Sequence, residues 1–348
     1  MKKGTKATGG GRFRGPGFWE TVKEAFLGAR RPLDCVQVEV TSRCPGRCTY
    51  CPHTTRRENW ISRDLDMETF SRLWPLMRRA GRVHLQGWGE PLLNPAFFDM
   101  AALARKAGCQ VSTTTCGLRM DPELALRIVE SGIDIVAFSL AGTDAASNAS
   151  RLGVDFDRVC EAVTTLQAVR RERAGVHLEI HFAYLMLASA MEAVAGLPAL
   201  MQRLGVHAAV ISTLDYIPEP GLAAEAFTPP ETDKLAKAAA ILSEIKVEAR
   251  RMDLGFHYEL PSPAASGTAC RENIGRSLYV SADGSVSPCV YVNVPATVAE
   301  PKRRVFGNVR DQEPVQIWEG AEFRRFRERL ACGDPDLPCQ SCPKRFMT

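Results

Sequence analysis

The chain has 348 residues, of which 45% are apolar and 24% charged, with a formal net charge of +4; this composition is ordinary for a globular protein larger than one minimal domain. No apolar run approaches the roughly 18 residues of a membrane span. The N-terminus is basic and Gly-rich without an apolar segment before a cleavage site, so no signal peptide is expected and the chain is placed in the cytoplasm. The positive charge is local: residues 1–31 carry Lys2, Lys3, Lys6, Arg12, Arg14, Lys23, Arg30 and Arg31 against only Glu20 and Glu24. A solvated basic tail with a short helix is expected over 1–34, with neither a membrane nor a nucleic-acid partner. Twelve cysteines in such a chain point to metal or redox chemistry rather than a disulfide framework.

From residue 35 onward, short apolar runs alternate with longer amphipathic ones. Strands are predicted at 35–40, 83–86, 110–115, 134–140, 177–184 and 207–212. Helices are predicted at 68–80, 95–107, 122–131, 156–173, 190–204 and 231–250. Asp121 followed by Pro122 is a helix start, and Gly81, Gly108, Gly132, Gly175 and Gly205 stand where helices end. Six strand–helix units in series imply a parallel sheet with helices outside it. An open, partial (β/α)6 barrel over 35–250 is the expected α/β architecture. Beyond residue 251 Gly and Pro rise and one hairpin is legible, 278–282 and 285–289 about Asp283-Gly284. The segment 251–348 is therefore expected to be a small α+β domain.

Cys44, Cys48 and Cys51 are spaced C-x3-C-x2-C just after the first strand, where barrel loops form the active face. A structural zinc site takes four ligands, and His53 could supply the fourth. An electron-transfer 4Fe–4S cluster also takes four cysteines. Three thiolates instead leave one iron open to a ligand. The spacing, with Tyr50 before the third cysteine, resembles the radical S-adenosylmethionine (SAM) superfamily, whose open iron binds the amino and carboxylate groups of SAM. Gln86-Gly87-Trp88-Gly89-Glu90-Pro91 resembles the family's Gly-Gly-Glu-Pro motif, with Trp88 as the departure. Thr113-Thr114-Thr115-Cys116-Gly117 resembles its third-strand Thr-Asn-Gly motif, with Cys116 in the place of Asn. Ser139 and Arg151 resemble the family's fourth-strand serine and carboxylate-binding base. The resemblance thus implies cofactor contacts from Trp88, Gly89, Glu90, Thr113, Thr115, Ser139 and Arg151. Cys116, at a strand end, is a candidate hydrogen-atom donor or metal ligand, against the alternative of an inert buried cysteine.

Cys270 precedes the hairpin, Cys289 ends it, and Cys339-Gln340-Ser341-Cys342 closes the chain. With Gly307-Asn308-Val309 and Ile317-Trp318, this portion resembles the SPASM/twitch extension of radical enzymes. Five cysteines are too few for two ordinary clusters. One auxiliary 4Fe–4S cluster on Cys270, Cys289, Cys339 and Cys342 is expected, with Cys332 as an alternative ligand or bystander; this resembles the arrangement in inosamine-type alcohol dehydrogenases. A zinc knuckle is the alternative. The basic run Arg324-Arg325-Phe326-Arg327 reads as a solvated helix face rather than an anion site.

The resemblance implies an enzyme that reductively cleaves SAM and takes a hydrogen atom from a substrate, with the auxiliary cluster assisting electron transfer. A small molecule is the expected substrate, and an electron donor such as flavodoxin or ferredoxin is implied. Alternatives are a maturase acting on a peptide or protein and, more remotely, a non-catalytic iron–sulfur or zinc protein. Incubating the anaerobic, reduced protein with SAM separates the last of these: 5′-deoxyadenosine is the expected product, and its complete absence excludes the enzyme.

Overall fold

The structure, a computed structural model, describes residues 31–265, 267–297, 303–337 and 339–347. The basic tail and short helix expected over 1–34 fall outside the described residues as far as residue 30.

Among the described residues, ten strands form one sheet. In chain order they are β1 (Leu33–Val38), β2 (Ala80–Leu85), β3 (Gln110–Thr115), β4 (Ile135–Leu140), β5 (Glu179–Met186), β6 (Ala208–Thr213), β7 (Gly255–Tyr258), β8 (Ser277–Val280), β9 (Ser285–Ser287) and β10 (Gly307–Asn308). Their spatial order is β10-β9-β8-β1-β2-β3-β4-β5-β6-β7. Strands β1 to β7 run parallel, β8 joins the free side of β1 in parallel, and β9 and β10 add antiparallel.

Side chains alternate across this sheet, as the two-residue period of a strand requires. Val36, Val38, Val83, Leu85, Val111, Val136, Phe138, Ile180, Phe182 and Ala209 form one almost wholly buried face. Residues of the other parity are more polar, and register aligns Gln37 with His84, His84 with Ser112, and Ala137 with His181. Residues of β1 to β6 jointly line a cavity of about 540 Å³ that includes Gln37, His84, Ser112, Ala137, His181 and Val210. The sheet therefore curves around a polar lumen, the arrangement of a partial barrel.

The main helices between strands are α1 (Pro52–Thr55), α2 (Met67–Ser71), α3 (Trp74–Met77), α4 (Phe97–Lys106), α5 (Pro122–Glu130), α6 (Phe156–Arg171), α7 (Leu197–Leu204) and α8 (Thr232–Arg251). Asp66, Asp121 and Asp155 cap α2, α5 and α6 by accepting from Thr69, Leu124 and Arg158 amides, which satisfies otherwise orphaned donors. Most boundaries shift by one to three residues from the sequence pattern, and proline explains three of the differences. The helix expected at 68–80 is two short helices, because Pro75 lacks an N–H and occupies the first turn of α3. The helix expected at 190–204 begins only at Leu197, with Pro198 in its first turn and a kinked 3-10 stretch before it. Strand β9 stops at Ser287, ahead of Pro288. Four-residue β7, which the pattern did not single out, continues the sheet after α8.

Two helices, α9 (Pro314–Glu319) and α10 (Ala321–Ala331), pack beyond β10. Phe323 and Phe306 stack at 4.3 Å between centroids. Arg327 covers Trp318 at 3.8 Å and Arg324 donates to the Glu319 carbonyl, so two of the three arginines in the basic run are engaged within the fold. Phe138 is fully buried in the barrel core. Phe138→Ala is expected to cost ~3–5 kcal/mol through lost burial and the cavity left behind, read as a lower urea midpoint.

Candidate functional site

The cysteine loop follows β1 and is fixed from several sides. Arg43 pairs with Asp64 at 2.7 Å. The buried Asn94 amide donates to the Val40 and Leu65 carbonyls. Arg47 and Thr49 amides donate to the Leu152 and Ser150 carbonyls, seating the loop against the segment after β4. A Cβ placed on Gly46 would lie 3.5 Å from Cys44 Sγ and 3.8 Å from Cys48 Sγ, so both sulfurs flank this glycine. Cys51 is the N-cap of α1. Burial pushes the Cys44 and Cys51 thiols up to about 12, helped at Cys44 by Glu90 and Cys48 and at Cys51 by Cys48 and Cys44, against one amide donor each from Gly46 and His53. Such thiols ionise only when a cation compensates them, as metal binding does by displacing their protons.

Arg151 supplies a second unmet demand. It is buried, donates from Nη1 to the Tyr50 hydroxyl at 3.1 Å, and its Nε finds no partner among the described residues. Ser150 Oγ and the Thr54 and Thr55 hydroxyls nearby in the chain are likewise buried without partners. A buried guanidinium beside only a phenol is costly unless an anion joins it. The carboxylate of SAM, or an anionic cluster, has the required charge.

Glu90 is fixed in the opposite way. Its Oε1 accepts from the Thr115 hydroxyl at 2.7 Å and the Leu92 amide at 3.3 Å, and its Oε2 accepts from the Cys116 amide at 2.6 Å. Gly89 has no room for a side chain: a Cβ would lie 2.1 Å from the Thr41 carbonyl oxygen. The Trp88 indole donates to the Asn293 carbonyl, and its ring sits 5.6 Å from Tyr216 and 6.2 Å from Tyr291. Cys116 is buried, and burial followed by the Glu90 charge drives its thiol far up, keeping it neutral. Glu90, Thr115, Cys116 and Pro45 border one cavity of about 300 Å³. Thr113 spends its hydroxyl on the Leu85 carbonyl at 2.7 Å. Ser139 is half-buried and in register with Ala183. His53 packs edge-on against Trp60 at 5.1 Å.

The C-terminal cysteines surround a separate cavity of about 240 Å³ lined by Cys270, Cys289, Cys339 and Cys342 together with Tyr216 and Tyr291. Burial pushes Cys270 and Cys339 up to about 12 and also raises Cys289 and Cys342. Cys332, exposed at the end of α10, is not among the lining residues. Among the described residues no three His, Cys, Asp or Glu side chains converge on an ion-sized site, at either set of cysteines.

Sequence reading missed two elements of this region. The buried Lys344–Asp215 pair, 2.9 Å apart, has Glu272 at 3.6 Å from the same ammonium and joins the chain end to the loop after β6. Glu39, fully buried, was signalled only by being a lone acid in an apolar run.

Residues 38–182 match the radical SAM superfamily, and residues 270–343 match SPASM, an iron–sulfur cluster-binding domain. The chain is a radical SAM enzyme with a SPASM domain. Its cofactors are a SAM-binding 4Fe–4S cluster, SAM itself and auxiliary iron–sulfur. A tungsten-containing aldehyde ferredoxin oxidoreductase cofactor-modifying protein of Pyrococcus furiosus is 24% identical over 306 residues, covering 83% of this chain and 82% of that one. A PqqA peptide cyclase of Gluconobacter oxydans is 25% identical over 322 residues, covering 88% of this chain and 82% of the relative. Streptococcus suis SuiB bound to S-adenosylmethionine shares the fold, with a TM-score of 0.68 at 13% identity over 94% of this chain and 75% of that one. Among the described residues of this radical SAM enzyme, no helix is long and apolar enough to cross a membrane.

Replacing Cys44, Cys48 and Cys51 together by Ala is expected to remove about four iron atoms per chain from anaerobically reconstituted protein. Replacing Cys270, Cys289, Cys339 and Cys342 should remove a similar number, and Cys332→Ala none. Iron and sulfide analysis with Mössbauer spectroscopy reads all three.

Proposed function

We propose that this radical SAM enzyme modifies a peptide or protein, and that one auxiliary cluster on Cys270, Cys289, Cys339 and Cys342 assists electron transfer. The observation carrying the peptide reading is the PqqA peptide cyclase relative, whose similarity spans 88% of this chain and so takes in both matched domains. The residues alone favoured a small molecule. The Pyrococcus furiosus relative, described as cofactor-modifying, keeps that as the second reading.

When bound, the first cluster supplies the electron that cleaves SAM reductively and opens the way to hydrogen-atom abstraction. The residues of the chain would divide the remaining work. Cys44, Cys48 and Cys51 would hold that cluster and leave one iron without a protein ligand. Glu90, pinned by Thr115 and Cys116, would present a fixed negative charge to the methionyl ammonium of SAM. Arg151 would face its carboxylate. The aromatic group of Trp88, Tyr216 and Tyr291 would keep water from the space between the two cysteine sets. Cys116, held neutral, would retain the S–H needed to return a hydrogen atom to a substrate radical. A flavodoxin or ferredoxin would supply the reducing electron.

The test is to incubate the reduced enzyme and SAM with short peptides encoded beside its gene. One of them is expected to raise 5′-deoxyadenosine formation and to change in mass. The peptide reading fails if only a peptide-free small-molecule extract does so. Cys116→Ala should still form 5′-deoxyadenosine while losing the modified product; full product formation by this variant removes the donor role.

A further inference from the structure

Glu39 lies one residue past β1 in the run Val36-Gln37-Val38-Glu39-Val40, and it is fully buried. Its carboxylate takes two backbone donors from segments far apart in the chain. Oε1 accepts from the Trp88 amide at 2.9 Å, and Oε2 accepts from the Ala282 amide at 3.1 Å. Trp88 belongs to the loop after β2 that carries Gly89 and Glu90. Ala282 belongs to the turn between β8 and β9, the hairpin that leads to Cys289. Between them Gly87 passes so close that a Cβ there would lie 2.4 Å from the Glu39 Cβ. The same loop is gripped from its other side, where the Trp88 indole donates to the Asn293 carbonyl beyond Cys289.

We propose that Glu39 is a positioning residue for SAM: its two carboxylate oxygens fix the backbone at 87–89 and lock it to the auxiliary hairpin. A buried carboxylate is expensive, and this one is compensated by amides rather than by a paired cation, so both oxygens are needed as acceptors. The other titratable groups facing it are the Tyr279 phenol and Asp283, the latter ion-paired with Arg303 at 2.9 Å. Burial raises the Glu39 carboxyl to about 7, against the pull of the two amides. Proton uptake would turn one acceptor into a donor facing an N–H. SAM affinity is therefore full from about pH 8 upward and falls as pH drops through 7.

The test is calorimetric titration of SAM into cluster-loaded, oxidised enzyme, where no cleavage occurs. Glu39→Gln keeps the shape but offers one acceptor oxygen instead of two. It is expected to weaken SAM binding by about tenfold at high pH, the scale of one lost buried hydrogen bond to a charged group. Wild-type affinity should decline between about pH 8 and pH 6 around the carboxyl's titration, whereas Glu39→Gln should be flat, with iron and sulfide content unchanged. Wild-type affinity and pH dependence in the variant would overturn the proposal. Loss of iron from the variant would overturn it too, since Glu39 would then hold the fold rather than the loop. None of these outcomes depends on whether the substrate is a peptide.

Discussion

Parallel pairing brings the C-terminal ends of β1, β2 and β3 to one edge of the sheet, and the cysteine loop, the Trp88–Glu90 turn and Cys116 all project from that edge. One face of the sheet beneath is apolar and almost wholly buried, so a polar group buried at the edge needs a partner. Two kinds of group result. Glu90 and Glu39 have their oxygens occupied by hydroxyl or amide donors of the chain itself, which hold both carboxylates in place. Cys44 and Cys51 stay raised by burial although each has one amide donor, from Gly46 and His53, and the Nε of Arg151 finds no partner among the described residues. Those unmet groups carry both signs of demand, thiols for a cation and a guanidinium for an anion. A metal cluster that binds a carboxylate-bearing cofactor meets both at once.

The second constraint is the attachment of β8 to β1 in parallel. It makes the C-terminal segment an extension of the barrel sheet rather than a separate body. Glu272, Pro288 and Cys289 line both the barrel lumen and the cavity of the C-terminal cysteines, so the two spaces share a wall. Burial opposes the charge of Lys344, but Tyr291, Asp215 and Glu272 hold it, and its pKa lies well above the ordinary value. Breaking that group by removing one partner would strand a buried charge, so it fixes how the chain end sits on the loop after β6. Any cofactor in the C-terminal cavity would therefore stand at a set distance from the lumen.

What the sequence reveals follows from how local each feature is. Strands β1 to β6 are legible because two-residue alternation is visible within six or eight residues. Pro75 and Pro198 were readable as breakers, yet the amphipathic pattern around them masked where the helices divide. Strand β7 is too short for its period to register. The cysteine sets are legible because thiols of one site must recur at tight spacing or in a hairpin. Trp88, Tyr216 and Tyr291 meet only through the fold, as does Glu39 between Trp88 and Ala282, and no local pattern announces such contacts. The substrate class is less legible still. No residue of the lumen distinguishes a peptide from a small molecule, and the weight for a peptide comes from a relative rather than from any motif.

Cys116 shows how one environment selects among chemistries. A thiol used as nucleophile or metal ligand must ionise, which calls for nearby positive charge. Here burial and the adjacent Glu90 carboxylate act together against ionisation, and the Cys116 amide is committed to the same carboxylate. The position therefore disfavours thiolate while leaving the S–H bond intact beside the cavity that Glu90 borders. Homolytic chemistry needs that bond and no charge, so the features that make Cys116 a poor ligand are those that suit it to the proposed hydrogen transfer.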